Sequence, residues 1–231
     1  EVRWDGSPDL RVRPYRKDGR DLYLLVNEGE APVAGTLSLR RAGSVACWDA
    51  LTGAVRPWPG ALVAGRLQTR ITLDRRASLV LTVDPAGAPD ASAASPPAPG
   101  EVILDIPGPW QAATLGGEPA DVPCPGDWAR CRGWELFSGT LVFRTTFTLA
   151  DAVGAAFLDL GGVGDIAEVS LDGQPAGVCA WAPYRLTVDG LRAGEHTLEV
   201  RVTNSMANAF DGRQLPSGVL GPVRLRACTA G

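Results

Sequence analysis

The sequence has few of the side chains on which metal and acid–base sites are built. Its 231 residues include one histidine, His196, and one lysine, Lys17. A zinc site needs four nitrogen or sulfur ligands at close spacing, and no C-x-x-C pair is present. The five cysteines are irregularly spaced: Cys47, Cys124, Cys131, Cys179 and Cys228. We expect reduced, mostly buried thiols, with a disulfide between Cys124 and Cys131 as the alternative.

Long apolar runs and blocks of basic residues are absent as well. No run is long enough to cross a bilayer, and the net charge is −4. We therefore expect neither a membrane nor a nucleic acid as a partner. The first residues, Glu1 to Trp4, show neither an initiating Met nor the start of a signal peptide. This predicts a piece of a longer bacterial protein and leaves its location open, whether secreted, periplasmic or cytoplasmic.

Signatures of helical and nucleotide-binding folds are missing too. An α/β barrel needs eight amphipathic helices, and no segment repeats its apolar residues convincingly at helical spacing. No G-x-G-x-x-G follows a strand, and there is no P-loop lysine. The sequence therefore predicts an all-β chain without a catalytic barrel of its own.

One biased segment divides the chain. Residues 84–100, DPAGAPDASAASPPAPG, contain only Asp, Pro, Ala, Gly and Ser, which cannot fill a core. We predict a small β-sandwich over 1–84, a Pro/Ala-rich linker over 85–100 and a jelly-roll domain over 101–231.

Both regions beside the linker alternate apolar and polar residues, as half-buried strands do. The clearest case is HTLEVRVTN (196–204), in which Leu198, Val200 and Val202 share one face. The predicted strands are 21–27, 35–40, 66–74, 78–84, 140–149, 166–171, 196–204 and 222–227. Many short strands separated by turns indicate two antiparallel β-sandwiches, the second a jelly roll. Turn chemistry is predicted at Asp172-Gly173 and, in the first region, at Asp49 and Thr52-Gly53.

Candidates for acid–base catalysis are few. His196 begins a strand beside the outward-facing Thr197, so we predict that it faces solvent and belongs to no nucleophile triad. Two carboxylates across a sugar could hydrolyse a glycosidic bond. The pairs close in sequence are Glu118 with Asp121, Asp127 with Glu135, and Asp159 with Asp165. Turns use Asp to accept backbone hydrogen bonds, so a structural role is preferred for each pair.

The tryptophans of the second region are more informative. Trp128, Trp134 and Trp181 lie in segments rich in Gly, Pro and Cys rather than inside alternating strands. Aromatic rings stack on the flat C–H faces of sugars, so tryptophans on loops of a sandwich are typical of carbohydrate-binding modules. The alternative is that these rings close the open ends of the sandwich.

Four segments, taken in order, resemble a known module. They are FSGTLVFRTTFTL (137–149), LGGVGDIAEVSLDGQPAGV (160–178), WAPYRLTVDGLRAGEHTLEVRVTN (181–204) and LPSGVLGPVRL (215–225). They are similar to the galactose-binding-like sugar-binding domain of glycoside hydrolase family 2, and more closely to the same module at the C-terminal end of family 106, the α-L-rhamnosidase-like enzymes. The matching residues are Ser138, Gly139, Phe143, Arg144, Gly162, Val163, Asp165, Ala167, Asp172, Gly173, Trp181, Pro183, Tyr184, Gly194, Leu198, Val200 and Asn204.

The first region also resembles those enzymes. YLLVNEG followed by SVACWDALTGAVRPW is similar to the β-domain that follows their catalytic barrel. The resemblance implies a non-catalytic accessory region of a glycoside hydrolase, with a preceding catalytic domain and a carbohydrate, in some cases rhamnose-containing, as partners. It carries over no catalytic residue. The alternatives are a free-standing carbohydrate-binding or adhesion module and a purely structural spacer.

We place the candidate sugar site at one loop end of the jelly roll. It would be built from 125–137, the 181–184 corner and 204–218, the segments least like strands. The predicted contact residues are Asp127, Trp128, Arg132, Trp134, Trp181, Tyr184, Asn208 and Arg213. No cofactor is required. The resemblance implies that a structural Ca²⁺ is common in such jelly rolls, with no ligand assigned here.

Overall fold

The chain divides into two units in a computed structural model that describes residues 1–50, 53–94 and 97–229. The first unit is Glu1–Ala98 and the second begins at Pro99 and runs to Thr229. Strands make up most of both units, and all the named strand pairs are antiparallel. The prediction of an all-β fold with two antiparallel sandwiches is confirmed.

The first unit is a sandwich of two sheets. Its strands are β1 (Val2–Trp4), β2 (Leu10–Lys17), β3 (Arg20–Asn27), β4 (Val33–Leu39), β5 (Ser44–Trp48), β6 (Val55–Pro57), β7 (Ala61–Val63), β8 (Arg66–Leu73) and β9 (Ser78–Asp84). One sheet has the order β1-β4-β8-β7 and the other β2-β3-β9-β5-β6. Between them lies an apolar core in which Leu25, Leu37, Leu67, Ile71 and Leu81 are fully buried.

The second unit has two main sheets and a short ribbon. Its strands are β10 (Ala98–Asp105), β11 (Gln111–Thr114), β12 (Thr140–Leu149), β13 (Val153–Asp159), β14 (Gly162–Gly164), β15 (Ile166–Leu171), β16 (Gln174–Cys179), β17 (Arg185–Leu191), β18 (Gly194–Thr203), β19 (Gly218–Gly221) and β20 (Arg224–Thr229). A 3₁₀ turn covers Trp128–Arg130, and the single-turn helix α1 covers Ala207–Asp211. The sheets have the orders β11-β12-β18-β15-β16 and β10-β20-β13-β17, with β14 paired to β19.

The alternating pattern of the second unit places its core as predicted. Leu198, Val200 and Val202 are fully buried on the inner face of β18, while Thr197 and Arg201 of the same strand are exposed. These inner residues belong to one cluster with apolar residues of the other sheet. The period of two therefore decides which face of each central strand is buried.

The segment predicted as a linker contains part of a strand. β10 begins at Ala98, and before it the carbonyl of Asp90 accepts a hydrogen bond from the Gly60 amide at 3.0 Å. Ser95 and Pro96 of that segment lie outside the described residues, as do Thr52 of the predicted turn and the last two residues of the chain.

The cysteines are free thiols. All five are unpaired, so the disulfide considered between Cys124 and Cys131 is not formed. Only Cys179 is buried; the other four are partly exposed. Burial is the largest cause that raises the pKa of each thiol, to about 12 for Cys124 and about 11 for Cys179. The thiols are therefore protonated and weakly nucleophilic at neutral pH.

Candidate functional site

The three segments predicted to form a sugar site do meet at one end of the second sandwich, which we call the loop end. Thr140 and Ile166 both pair with Thr203, so β12 and β15 start where β18 finishes. Asp159 pairs with Arg185, so β13 finishes where β17 starts. Six residues connect β13 to β15. Strand register thus brings 125–137, 181–184 and 204–218 to the same end.

Asp127 joins two of these segments. Its Oδ1 accepts hydrogen bonds from the amides of Ala129 at 3.0 Å and Ser217 at 2.8 Å. The amide of Trp128 donates to the Ser217 carbonyl at 2.8 Å. Arg130 lies 3.3 Å from Oδ2 of the same carboxylate. The predicted role of Asp127 as a hydroxyl ligand is therefore not what the structure shows, because this carboxylate caps the 3₁₀ turn and ties it to 204–218.

Asn208 is a scaffold residue as well. It is 1% exposed, its Nδ2 donates to the Leu215 carbonyl at 3.0 Å, and its Oδ1 accepts the Leu215 amide at 2.7 Å. Asn204 makes a similar set of contacts, donating to the carbonyl of Phe137 and to Ser217 Oγ. The prediction that Asn208 contacts a ligand is wrong, because its polar atoms hold the 204–218 loop from beneath.

Trp128 does not offer a stacking face. It is 1% exposed, its ring lies parallel to Phe143 with centroids 6.1 Å apart, and Phe137 meets it edge-on at 6.0 Å. The indole belongs to the main apolar cluster of the second unit. Its prediction as a sugar contact is wrong, and the alternative that such a ring closes the end of the sandwich is correct for this residue.

Trp181 differs from Trp128 because half of it is exposed, with 50% of its surface accessible. It opens the corner Trp181-Ala182-Pro183-Tyr184, in which the Ala182–Pro183 peptide is cis. Main-chain bonds hold the corner on both sides, from the Leu160 amide to the Tyr184 carbonyl and from the Arg185 amide to the Pro183 carbonyl, each 2.9 Å. The corner is therefore a well-held turn that presents one aromatic ring to solvent.

The remaining predicted residues fall into two groups. Arg132 and Arg213 are exposed, and no ion pair is found for either within the described part of the chain. Trp134 and Tyr184 are half-buried against the core cluster, and Trp134 meets Phe137 edge-on at 5.0 Å. Burial, followed by the nearby charge of Asp165, raises the pKa of Tyr184, so its phenol stays a neutral hydrogen-bond donor.

Sequence reasoning missed further apolar residues of the loop end. Phe210 on α1 is 80% exposed, and Met206 and Leu136 are each about half exposed. All three lie in the predicted segments, but attention to tryptophan left them out. The sequence did carry a signal for these residues. They are large apolar side chains in polar loops, where no alternating strand is present to bury them.

Four of the six carboxylates in these pairs accept main-chain amides: Asp127, Glu135, Asp159 and Asp165. Asp159 accepts the Gly161 amide at 3.0 Å, Asp165 the Ser205 amide at 2.6 Å, and Glu135 the Gly133 amide at 2.7 Å. Each bond tightens a loop. This matches the preferred structural interpretation of these residues.

His196 is buried, contrary to the prediction that it faces solvent. It is 2% exposed, and its ring stacks on Phe147 with centroids 5.3 Å apart. The reason lies in the strand period, since His196 has the same parity as Leu198 and Val200 and so points inward with them. It lines a cleft of about 500 Å³ together with Asp172, Asp189 and Arg192, away from the loop end.

Neither a metal cluster nor a spanning helix is found in the part of the chain that the structure describes. No group of three or more His, Cys, Asp or Glu side chains is arranged to hold a metal ion there. Asp127, Glu135 and Asp165 of the loop end accept main-chain amides instead, and no calcium ligand set is assigned. No helix there is long and apolar enough to cross a membrane.

Comparison with known proteins gives the class of fold. No family model matches the chain. Its two β units have a fold that also occurs within a larger glycoside hydrolase. A structure of a rhamnosidase from Novosphingobium sp. PP1Y matches 98% of the chain with a TM-score of 0.81 and 24% identity.

A curated relative is similar over a shorter stretch. A putative beta-glucuronidase from Formosa agariphila is 41% identical over 85 residues, which is 35% of this chain. The chain spans 25% of the rhamnosidase and 7% of the beta-glucuronidase. It therefore corresponds to a minor part of each of these larger proteins.

Proposed function

We propose that this chain is a non-catalytic accessory region of a glycoside hydrolase most similar to α-L-rhamnosidases, supporting a catalytic barrel and binding carbohydrate at the loop end. One observation carries the proposal. The match to a rhamnosidase extends over nearly the whole chain while covering a quarter of that protein. A region of this size, built as two β-sandwiches, fits an accessory part beside a separate catalytic domain.

Carbohydrate binding is supported by the geometry of the loop end. Trp181 offers an exposed ring on a corner held by main-chain bonds, so little order has to be gained on binding. Arg132 and Arg213, both exposed, carry forked donors that suit paired hydroxyl or carboxylate oxygens. Burying one such ring against a sugar face is worth on the order of 1–2 kcal/mol.

A non-catalytic role is supported by the state of the carboxylates. Glycoside hydrolysis needs one carboxyl group as acid and a second as base or nucleophile, both facing the substrate. Asp127, Asp159 and Asp165 instead accept amide hydrogen bonds that hold loops together. These carboxylates therefore act as loop ties rather than as an acid–base pair around a substrate.

Two measurements on the purified chain test the proposal. We expect no turnover of an aryl rhamnoside, and binding of rhamnose-containing oligosaccharides among the sugars of a glycan array. Hydrolysis at enzymatic rates that a single Asp or Glu substitution abolishes would overturn the non-catalytic assignment. Absence of glycan binding would leave the structural spacer as the better description, and a protein with glycan binding but no linked barrel would be a free-standing module.

A further inference from the structure

The outer face of the five-stranded sheet of the first unit is unusually apolar. In antiparallel sheets, paired residues point to the same face. The residues paired in one row across the sheet are Arg13, Leu24, Val80, Trp48 and Val55. The next row consists of Tyr15, Leu22, Thr82, Ala46 and Pro57. We call these two rows the outer apolar face.

The residues of the same strands that point to the opposite face fill the core. Tyr23 and Leu25 of β3 and Leu81 of β9 are buried between the two sheets. The strand segment Leu22–Val26 is therefore apolar on both faces, a pattern typical of strands covered on both sides. On the outer apolar face, however, Tyr15 is 59% exposed and Trp48 is 41% exposed.

The second sheet of the same unit provides an internal comparison. Its central strands, β4 and β8, pair Thr36 with Arg70 and Ser38 with Gln68 on their outer face. Those side chains are polar, as expected for a face in contact with water. The apolar composition of the first face is thus a local feature rather than a property of the whole unit.

The edge of the outer apolar face is basic. Alternation along β2 puts Arg11, Arg13, Tyr15 and Lys17 on the side of these rows. Arg11 pairs with Glu28 at 2.9 Å, but no ion pair is found for Arg13 or Lys17 among the described residues. A cavity of about 330 Å³ lies at the same end of the face, between Lys17 and Trp48. An apolar centre beside a basic edge is the arrangement found in protein interfaces.

The size and charge of this face indicate what kind of partner would bind it. Five strands and two residue rows span about 19 Å by 7 Å, enough for one α-helix of about 10–12 Å diameter to lie along the rows. The centre of the face is aliphatic, with Leu22, Leu24 and Val80, which suits an apolar helix stripe; a sugar site needs polar groups for the hydroxyls beside its aromatic rings. The free charges of Arg13 and Lys17 call for carboxylates in the partner.

We propose that the outer apolar face binds an amphipathic protein helix whose apolar stripe is flanked by Asp or Glu. The helix would lie on Leu24, Val80 and Trp48, with its acidic side chains against Arg13 and Lys17. This proposal is independent of carbohydrate binding, since the face belongs to the first unit and the candidate sugar site to the second.

Two matched synthetic peptides test the proposal. Both are helical, about 18 residues long, with the same leucine stripe, one flanked by Glu and the other by Lys. In fluorescence anisotropy we expect the Glu peptide to bind the chain at least about tenfold more tightly than the Lys peptide. Arg13→Glu, on an exposed edge strand, should weaken the Glu peptide about tenfold and strengthen the Lys peptide.

Two further variants distinguish binding at the outer apolar face from nonspecific binding of the peptide to the chain. Leu24→Glu should abolish binding of the Glu peptide, and Thr72→Glu on the polar outer face of the other sheet should leave it unchanged. Equal affinity for the two peptides, no binding up to about 1 mM, or indifference to Arg13→Glu would each overturn the proposal. So would sedimentation showing a dimer of the free chain that Arg13→Glu and Leu24→Glu dissociate, because a second copy would then be the occupant.

Discussion

Nδ1 of His196 lies 2.7 Å from Oδ2 of Asp172, and Nε2 of the same ring lies 2.8 Å from the main-chain oxygen of Arg192. Both neighbours are hydrogen-bond acceptors, so both ring nitrogens must carry a proton to satisfy them. The buried side chain satisfies both contacts at once only as an imidazolium. It fastens the β15–β16 turn and the β17–β18 turn to the start of β18.

We predict that the stability of the second unit depends on the charge of His196. Burial opposes the charge, but the hydrogen bonds to Arg192 and Asp172 outweigh it and raise the pKa of His196 above 6.5. Burial opposes the charge of Asp172 too, but the hydrogen bond from the Thr197 amide, followed by the hydrogen bond and charge of His196, holds the pKa of Asp172 below 3.8. The stabilisation is thus full between these two values. It is lost as pH rises through the folded-state pKa of His196 or falls through that of Asp172.

An NMR titration of the ring protons measures this directly, because the chain has one histidine and its signals need no assignment among several. Asp172→Asn should lower the pKa of His196. In this variant the melting temperature should fall less steeply than in the wild type as the pH rises above about 6.5. Asp189→Asn, a turn residue in the same cleft, is the matched control and should leave the fall in place. A His196 pKa at or below 6.5 in the wild type would contradict the imidazolium.

A second prediction concerns the thiols. The pKa of every cysteine is raised by burial, in Cys131 with help from the charges of Asp127 and Asp121. We expect five free thiols in denaturant and slow alkylation of the native chain at about pH 8. Mass spectrometry of the alkylated chain counts them. Rapid modification of one site in the native chain would show that its thiol is not held as described.

A third prediction separates scaffold from surface at the loop end. Trp128→Ala should cost about 3–5 kcal/mol of unfolding free energy, because it empties a buried site between the stacked ring of Phe143 and the edge-on ring of Phe137. Asn208→Ala should cost about 1–3 kcal/mol by leaving the Leu215 amide without its acceptor, while the Leu215 carbonyl keeps the hydrogen bond from Ser217 Oγ. Denaturant unfolding measures both. A Trp128→Ala chain as stable as the wild type would mean that the ring is not part of the core.

Much of the fold could be predicted from the alternation of apolar and polar residues along each strand. The period of two in β12, β15 and β18 fixed which residues of these strands are buried, because one face of each strand meets the other sheet. The same period extends back to His196, and applying it there would have predicted its burial. The error was to give His196 the outward face of its neighbour Thr197, although adjacent residues of a strand point to opposite faces.

The loop end was harder to predict because its contacts join distant parts of the chain. Asp127 meets Ser217, 90 residues away, and Ala209 meets Ser138, 71 residues away. Local composition marked all of these segments as non-strand, which was enough to select the end of the sandwich. It carried no information on which tryptophan would face Phe143 and which would face water.

The most direct test of the account is the affinity for carbohydrate of two single-tryptophan variants, Trp181→Ala at the loop end and Trp48→Ala on the first unit. Both rings are substantially exposed, at 50% and 41%, so neither change should unfold the chain. Calorimetric titration with a glycan bound by the wild type should show about tenfold weaker binding for Trp181→Ala and no change for Trp48→Ala. Unchanged affinity in Trp181→Ala, with its melting temperature preserved, would contradict the loop end as the carbohydrate site.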